Sequence, residues 1–279
     1  MALELITIDL DETLLRQDKS YDRQRFQKVK EQLIQRGAIV CIATGNSYHK
    51  VVDFFNEQER HGLYFATDNG NYIVHDEEIL HTITIDRTSA IAISKFIQSI
   101  EGYHSLISTG EVSYYHSDNQ FALEMFNKYN NNVVYVQDFE ELPQDAQVTK
   151  IAIVSEYELE HNKIVTANIQ EKFTGIQAVT SGNIWMDVIA DKGGKGAAVS
   201  FLEEHFHIDT QAAMAFGDSL NDYTMMEMVK YSVAMGNSDP ELAHICDYQI
   251  GSNQDQAVIS VLEEYIQASN LDFMETYRK

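Results

Sequence analysis

Ile6-Thr7-Ile8-Asp9-Leu10-Asp11-Glu12-Thr13-Leu14-Leu15 is the stretch on which the reading of the chain turns. An apolar segment predicts a short strand, and that strand runs into two aspartates spaced i, i+2. In an α/β sheet the carboxyl ends of the strands face the ligand crevice. Alternate residues of an extended segment share a face, so the Asp9 and Asp11 carboxylates are expected to enter one site. Close anions raise each other's pKa unless a cation intervenes, and a hard, oxygen-ligated divalent ion such as Mg²⁺ removes the conflict. Taken alone, the stretch reads more readily as a turn with acids at a strand end.

On either side of this segment, strands and helices alternate. Phe26, Val29, Leu33 and Ile34 recur at helical spacing and predict a helix over 22–35, which Gly37 stops. The run 38–43 is almost wholly apolar, as in a strand buried on both faces. A helix over 47–56 and a strand over 64–67 follow. This alternation indicates a parallel sheet with right-handed crossovers. After the turn Asp68-Asn69-Gly70-Asn71 the style changes. A hairpin is expected at 72–74 and 79–81, then helices over 88–100, 121–129 and 159–173, with strands at 148–154 and 176–180. From Trp185 the first style returns, with strands at 185–189, 212–216, 232–235 and 248–250. Helices are expected at 196–205, 222–229 and 240–246, and a last amphipathic helix carries Val258, Ile259, Val261, Leu262, Tyr265 and Ile266. The expected organisation is one α/β domain split in sequence, residues 1–82 plus 183–279, with residues 83–182 inserted as an α+β domain.

Composition narrows the function classes. In 279 residues, 43 Asp and Glu against 20 Lys and Arg give a formal net charge of −23. A field of that sign repels phosphate backbones and anionic lipid, which argues against a nucleic-acid or polybasic membrane partner. It leaves divalent cations welcome. Two cysteines, Cys41 and Cys246, build neither a disulfide framework nor a zinc site. No stretch resembles a secretory signal or a membrane span, so the expectation is a soluble, cytoplasmic protein.

Three further stretches repeat the pattern of polar chemistry at a strand end or helix entry. Ile42-Ala43-Thr44-Gly45-Asn46 offers a hydroxyl and backbone N–H groups to an anion. Asp191-Lys192-Gly193-Gly194-Lys195-Gly196 opens a helix with a lysine. It is not a Walker loop, because the spacer before Gly-Lys is missing and Gly196 stands in the Ser/Thr place. Ala215-Phe216-Gly217-Asp218-Ser219-Leu220-Asn221-Asp222 again runs a buried strand into carboxylates, where Gly217 permits a sharp turn.

The order Asp9-x-Asp11-x-Thr13, Thr44-Gly45, Lys195-Gly196 and Gly217-Asp218-Ser219-x-Asn221-Asp222 resembles the haloacid dehalogenase-like hydrolase superfamily, in its Cof-type phosphatase branch. The resemblance covers nearly the whole chain, and its last motif is the most specific. It implies a Rossmann-like parallel-sheet core with an inserted α+β cap, and hydrolysis of a small phosphorylated metabolite, such as a sugar phosphate. By resemblance, Asp9 is the nucleophile that takes up the phosphoryl group, and Asp11 protonates the leaving oxygen and then activates water. Thr44, Gly45, Lys195 and Asn221 would bind the phosphoryl group. Asp9, the backbone carbonyl of Asp11 and Asp218 would hold Mg²⁺, with Asp222 in support. Two positions depart from the pattern. Glu12 stands where the family usually has glycine or a small residue, and Asn46 where many relatives carry arginine, which removes that cation's usual contact to substrate or cap. Phosphoryl transfer to a sugar, as in a mutase, shares the first half of this chemistry. A catalytically silent phosphate-ligand sensor and a receiver-type signalling module are the non-enzymatic alternatives.

Overall fold

The computed structural model describes residues 2–180, 183–268 and 270–279. Its first five strands are β1 (Leu5–Asp9), β2 (Ile39–Ala43), β3 (Leu63–Thr67), β4 (Tyr72–His75) and β5 (Glu78–Thr82). Then come β6 (Tyr103–Ser108), β7 (Ser113–Tyr115), β8 (Val133–Tyr135), β9 (Lys150–Ser155), β10 (Ile176–Thr180) and β11 (Trp185–Ala190). β12 (Ala213–Gly217), β13 (Tyr231–Ala234) and β14 (Tyr248–Gln249) close the series.

Eight of these strands form one sheet in the order β14-β13-β12-β1-β2-β3-β4-β5. β14 through β3 are parallel, and β4 and β5 extend the edge as an antiparallel hairpin. At the hairpin tip Asp76 and Glu77 both take positive φ, as a two-residue turn between twisted strands demands. The parallel strands read as continuous apolar runs because both faces are covered. Ile6, Ile8, Val40, Ile42 and Phe216 face the helices Arg23–Gln35 and Ala257–Ala268. Leu5, Cys41, Ala43 and Ala215 face Lys195–Phe206 and Tyr223–Met228. Asp22 starts the first of these helices by accepting the Arg25 N–H at 3.1 Å. The helix expected over 47–56 is interrupted. Tyr48–Val51 gives way to a turn, and Asn56 caps a new short helix, Glu57–Arg60, through a reciprocal pair with Glu59.

Strand order reverses between β1 and β12, which opens a crevice beyond their carboxyl ends. The second sheet, in the order β10-β11-β9-β6-β7-β8, lies across that crevice. Ile107, Ile151, Ile153 and Val188 pack under the helices Arg87–Gln98 and Leu159–Lys172. On the opposite face, Leu106, Ala152 and Val154 pack with Ala122 and Phe126 of Gln120–Tyr129.

The boundary of the inserted domain also needs correction. The sequence reading returns to the first sheet at residue 183, yet β11 pairs antiparallel with both β9 and β10 in the second sheet. The passage to the first sheet therefore falls at residues 191–194. A buried apolar run looks alike in either sheet, and only its partner strands tell them apart. The expected edge at residue 182 itself lies outside the described residues. Among the described residues, no helix is long and apolar enough to cross a membrane.

Because Ile8 is fully buried at the centre of the sheet, Ile8→Ala is expected to lower unfolding free energy by about 2–5 kcal/mol, read as a shift of the urea midpoint at unchanged slope.

Candidate active site

Sheet register brings the first pieces together. Ile8 pairs with Phe216 and Asp9 with Ala43, so Asp9, Thr44 and Asp218 leave three adjacent strands at nearly the same level. After Asp9 the chain makes a wide turn, closed by the Leu15 N–H on the Leu10 carbonyl at 2.8 Å. Glu12 sits in this turn at φ 56°, a conformation that favours glycine. Its carbonyl accepts from Asn237 Nδ2 at 2.9 Å and its carboxylate from Asn253 Nδ2 at 3.2 Å, which hold the left-handed turn in place.

Gly217 ends β12 where nothing larger fits: a Cβ there would lie 2.6 Å from the Asp222 carboxyl carbon. Asp222 folds back over it, and its Oδ2 accepts from the N–H groups of Asp218 at 2.9 Å and Ser219 at 3.1 Å. Its Oδ1 meets Lys195 Nζ at 2.5 Å, and the same ammonium meets Asp9 Oδ1 at 2.5 Å. Gly196 lets the Lys195 helix approach this closely, since a Cβ there would lie 2.7 Å from the Thr224 carbonyl.

The electrostatics follow from burial and charge count. Burial alone would lower the Lys195 ammonium, but the carboxylates of Asp222 and Asp9 outweigh it and keep the group charged. Burial raises Asp9; Lys195 opposes this, while Asp222 and Asp218 add to it, and the group stands well above the usual carboxylate range. Asp218 is pushed up to about 7, chiefly by burial and by Asp222, against Lys195 and a hydrogen bond from Thr13 Oγ1 at 3.1 Å. Oxygen atoms of Asp9, Asp218 and Asp222 lie within 4.8 Å of one another. Three carboxylates thus share one ammonium. An oxygen-only set with surplus negative charge suits a hard divalent cation, and the cluster could hold one.

The Asp11 carboxylate stands apart from this trio. It accepts from Lys19 Nζ at 2.8 Å and from Asn46 Nδ2 at 2.5 Å. Asn46, one of the two departures from the family pattern, thereby positions Asp11, and its N–H and amide also donate to Thr44 Oγ1 at 3.1 and 3.2 Å. Asn221 donates to Asn69 Oδ1 at 3.2 Å and accepts from Ser219 Oγ at 2.6 Å.

Asp9, Asp11, Thr44, Gly45, Asp218 and Asn221 all line one cavity of about 570 Å³, while Lys195 and Asp222 stand behind Asp9, fully buried. Across it the second sheet and its loops contribute Tyr129, Asn130, Lys150 and Trp185, with the Trp185 and Tyr129 rings edge to face at 5.4 Å. Lys19 and Lys150 also line the cavity, and neither stands out in the sequence, one lying in a polar loop and the other opening an apolar strand.

The family profile described as haloacid dehalogenase-like hydrolase matches residues 6–262. The chain belongs to this family. It is 23% identical over 282 residues to the 5-amino-6-(5-phospho-D-ribitylamino)uracil phosphatase YbjI of Escherichia coli (strain K12), covering 95% of this chain and 97% of that protein. A crystal structure from Streptococcus mutans UA159 superposes with a TM-score of 0.87 at 25% identity, over 95% of this chain and all of that one. A HAD subclass IIB sugar phosphatase shares the fold with a TM-score of 0.78 at 19% identity, over 94% and 98% of the two chains. With relatives of this kind, the hydrolase is a phosphoric monoester hydrolase.

The raised Asp218 pKa has a sign that can be measured. Without metal, the folded state holds this proton more tightly than the unfolded chain, whose value is near 3.8. The stability it contributes is fully present below that value and is lost as pH rises through about 7. In chelator, the melting temperature of the wild type is expected to match that of Asp218→Asn at low pH and to fall several degrees below it above neutrality. Parallel pH profiles for the two proteins would refute a buried, charge-crowded Asp218.

Proposed function

We propose that this hydrolase is a Mg²⁺-dependent phosphatase that cleaves a small phosphorylated metabolite, a sugar phosphate or similar monoester, through an aspartyl-phosphate on Asp9. The observation that carries this reading is the buried Lys195 ammonium, bound to Asp9 and Asp222 beside Asp218 at the edge of a metabolite-sized cavity.

Lys195 holds one oxygen of Asp9 and so fixes the rotation of the carboxylate, which presents its other oxygen for attack. That oxygen forms a bond to phosphorus as the ester P–O bond breaks. Asp11 delivers a proton to the departing alcohol oxygen. The Thr44 hydroxyl, the backbone of Gly45 and the Asn221 amide bind the phosphoryl oxygens, and Lys195 balances their charge. Asp11, now ionised, takes a proton from water, and the water oxygen attacks phosphorus. The acyl-phosphate P–O bond breaks, inorganic phosphate forms, and the Asp9 carboxylate is restored. Mg²⁺, held by Asp9, Asp218 and the Asp11 carbonyl with Asp222 in support, would supply the positive charge that a transferring phosphoryl group demands.

Cavity dimensions support a small substrate, since about 570 Å³ is ordinary for a metabolite site. Trp185, Tyr129, Asn130 and Asn183 give this cavity aromatic and amide surfaces suited to a hydroxyl-rich leaving group. The named substrate of the Escherichia coli relative, a phosphorylated ribityl chain on a pyrimidine, and the sugar phosphatase among the structural neighbours point in the same direction.

Asp9→Asn and Asp9→Ala are each expected to cut turnover of p-nitrophenyl phosphate by at least about 10³-fold, the scale on which loss of a nucleophile acts. Chelation should do the same, and Mg²⁺ should restore the wild type alone. Full turnover by Asp9→Asn would sink the reading. A screen of phosphorylated metabolites that scores released phosphate against isomerised product separates hydrolysis from mutase chemistry.

A further inference from the structure

Lys150 opens β9, and the roles above leave it unused. Its side chain is only 9% exposed. From the second sheet, its Nζ donates to the Gly45 carbonyl of the first-sheet loop Thr44-Gly45-Asn46, at 2.6 Å. Two carboxylates flank the ammonium, Asp68 Oδ1 at 3.7 Å and Asp187 Oδ1 at 3.6 Å. Each is anchored by its other oxygen: Asp68 accepts from Ser108 Oγ at 2.8 Å and Thr149 Oγ1 at 2.6 Å, and Asp187 from Asn69 Nδ2 at 3.0 Å. Burial would lower an ammonium here, but Asp187 and Asp68 outweigh it, so Lys150 stays charged.

The carbonyl it grips belongs to the phosphoryl-binding loop. A planar trans peptide directs its C=O and the following N–H to opposite sides. With its C=O held by Lys150, the Gly45–Asn46 peptide turns the Asn46 N–H toward Thr44 Oγ1, which it reaches at 3.1 Å, and the Asn46 amide reaches the same oxygen at 3.2 Å. A hydroxyl oxygen that accepts two hydrogen bonds keeps its own proton to donate, and Thr44 lines the cavity. Glycine does not hold a peptide plane by its own sterics, so the ammonium supplies what the backbone lacks.

We propose that Lys150 is a positioning residue for phosphoryl transfer: it locks the Gly45–Asn46 peptide plane and so aims the Thr44 hydroxyl at the transferring group. The proposal rests on the phosphatase reading above.

The test compares Lys150→Met with a charge-balanced variant, Lys150→Met combined with Asp68→Asn and Asp187→Asn. The single variant leaves two buried carboxylates without their cation and should melt well below the wild type. The balanced variant removes that penalty and is expected to recover most of the melting temperature. In both, kcat for p-nitrophenyl phosphate should fall about 10- to 100-fold with KM nearly unchanged, a smaller loss than deletion of a transition-state donor itself. Wild-type kcat in the balanced variant overturns the proposal. So does recovery of kcat in step with melting temperature, or failure of both variants to fold, since either makes Lys150 only a staple between sheets. If the wild type releases no phosphate, the phosphatase reading fails and the proposal falls with it, an outcome told apart by that control.

Discussion

Lys195 carries its charge into a part of the protein that solvent does not reach, and Asp9 and Asp222 meet it there at 2.5 Å each. An ammonium so placed is tolerable only with its partners present; removing one partner of a buried pair commonly costs about 3–5 kcal/mol. The surrounding backbone is shaped to keep both partners. Gly217 makes room for Asp222, Gly196 lets the Lys195 helix close on Thr224, and β1 delivers Asp9 at the point where strand order reverses. Burial, and after it the excess of carboxylate around one cation, raises Asp9 and Asp218, and that excess makes the cluster receptive to a divalent ion.

A second buried polar assembly joins the two sheets, and the turn at residues 68–71 is its centre. Asp68 receives Ser108 and Thr149, and Asn69 reaches Asp187 and Asn221. Asn71 accepts the Gly194 N–H at 3.2 Å and donates to the Thr149 carbonyl at 3.1 Å. Asp68 and Asn69 take positive φ, which short polar side chains tolerate better than most. One tight turn thus touches the Thr44-Gly45-Asn46 loop, the approach to Lys195, the Asp218 loop and the second sheet.

How much of this was legible depended on how local the signal was. Asp9, Thr44 and Asp218 are readable because each ends an apolar run, and such runs mark strands whose ends face a crevice. Asp22 and Gly37 bracket a helix because capping and termination are local chemistry. The break in the helix after Tyr48–Val51 is not legible because no residue there forbids a helix; Asn56 and Glu59 simply build a better start. The sheet that β11 joins is not legible because its own residues do not name its partners. Lys150 and Asn69 stayed invisible for the same reason: Lys150 meets Gly45 across 105 residues of chain. Residues 68–71 looked like punctuation, since a turn's spelling does not reveal what packs against it.

The placement of β11 also has a mechanical side. Between the end of β5 and the helix Arg87–Gln98 lie residues 83–86, and between β11 and the Lys195 helix lie residues 191–194. Each leash is four residues long, so neither can pay out more than about 14 Å even fully drawn. The first is itself sewn down, by the Ile83 N–H on the Asn71 carbonyl and the Ile85 N–H on Val148. The second runs straight into Lys195. The second sheet is therefore tethered through residues 191–194 directly to the backbone that carries the buried ammonium.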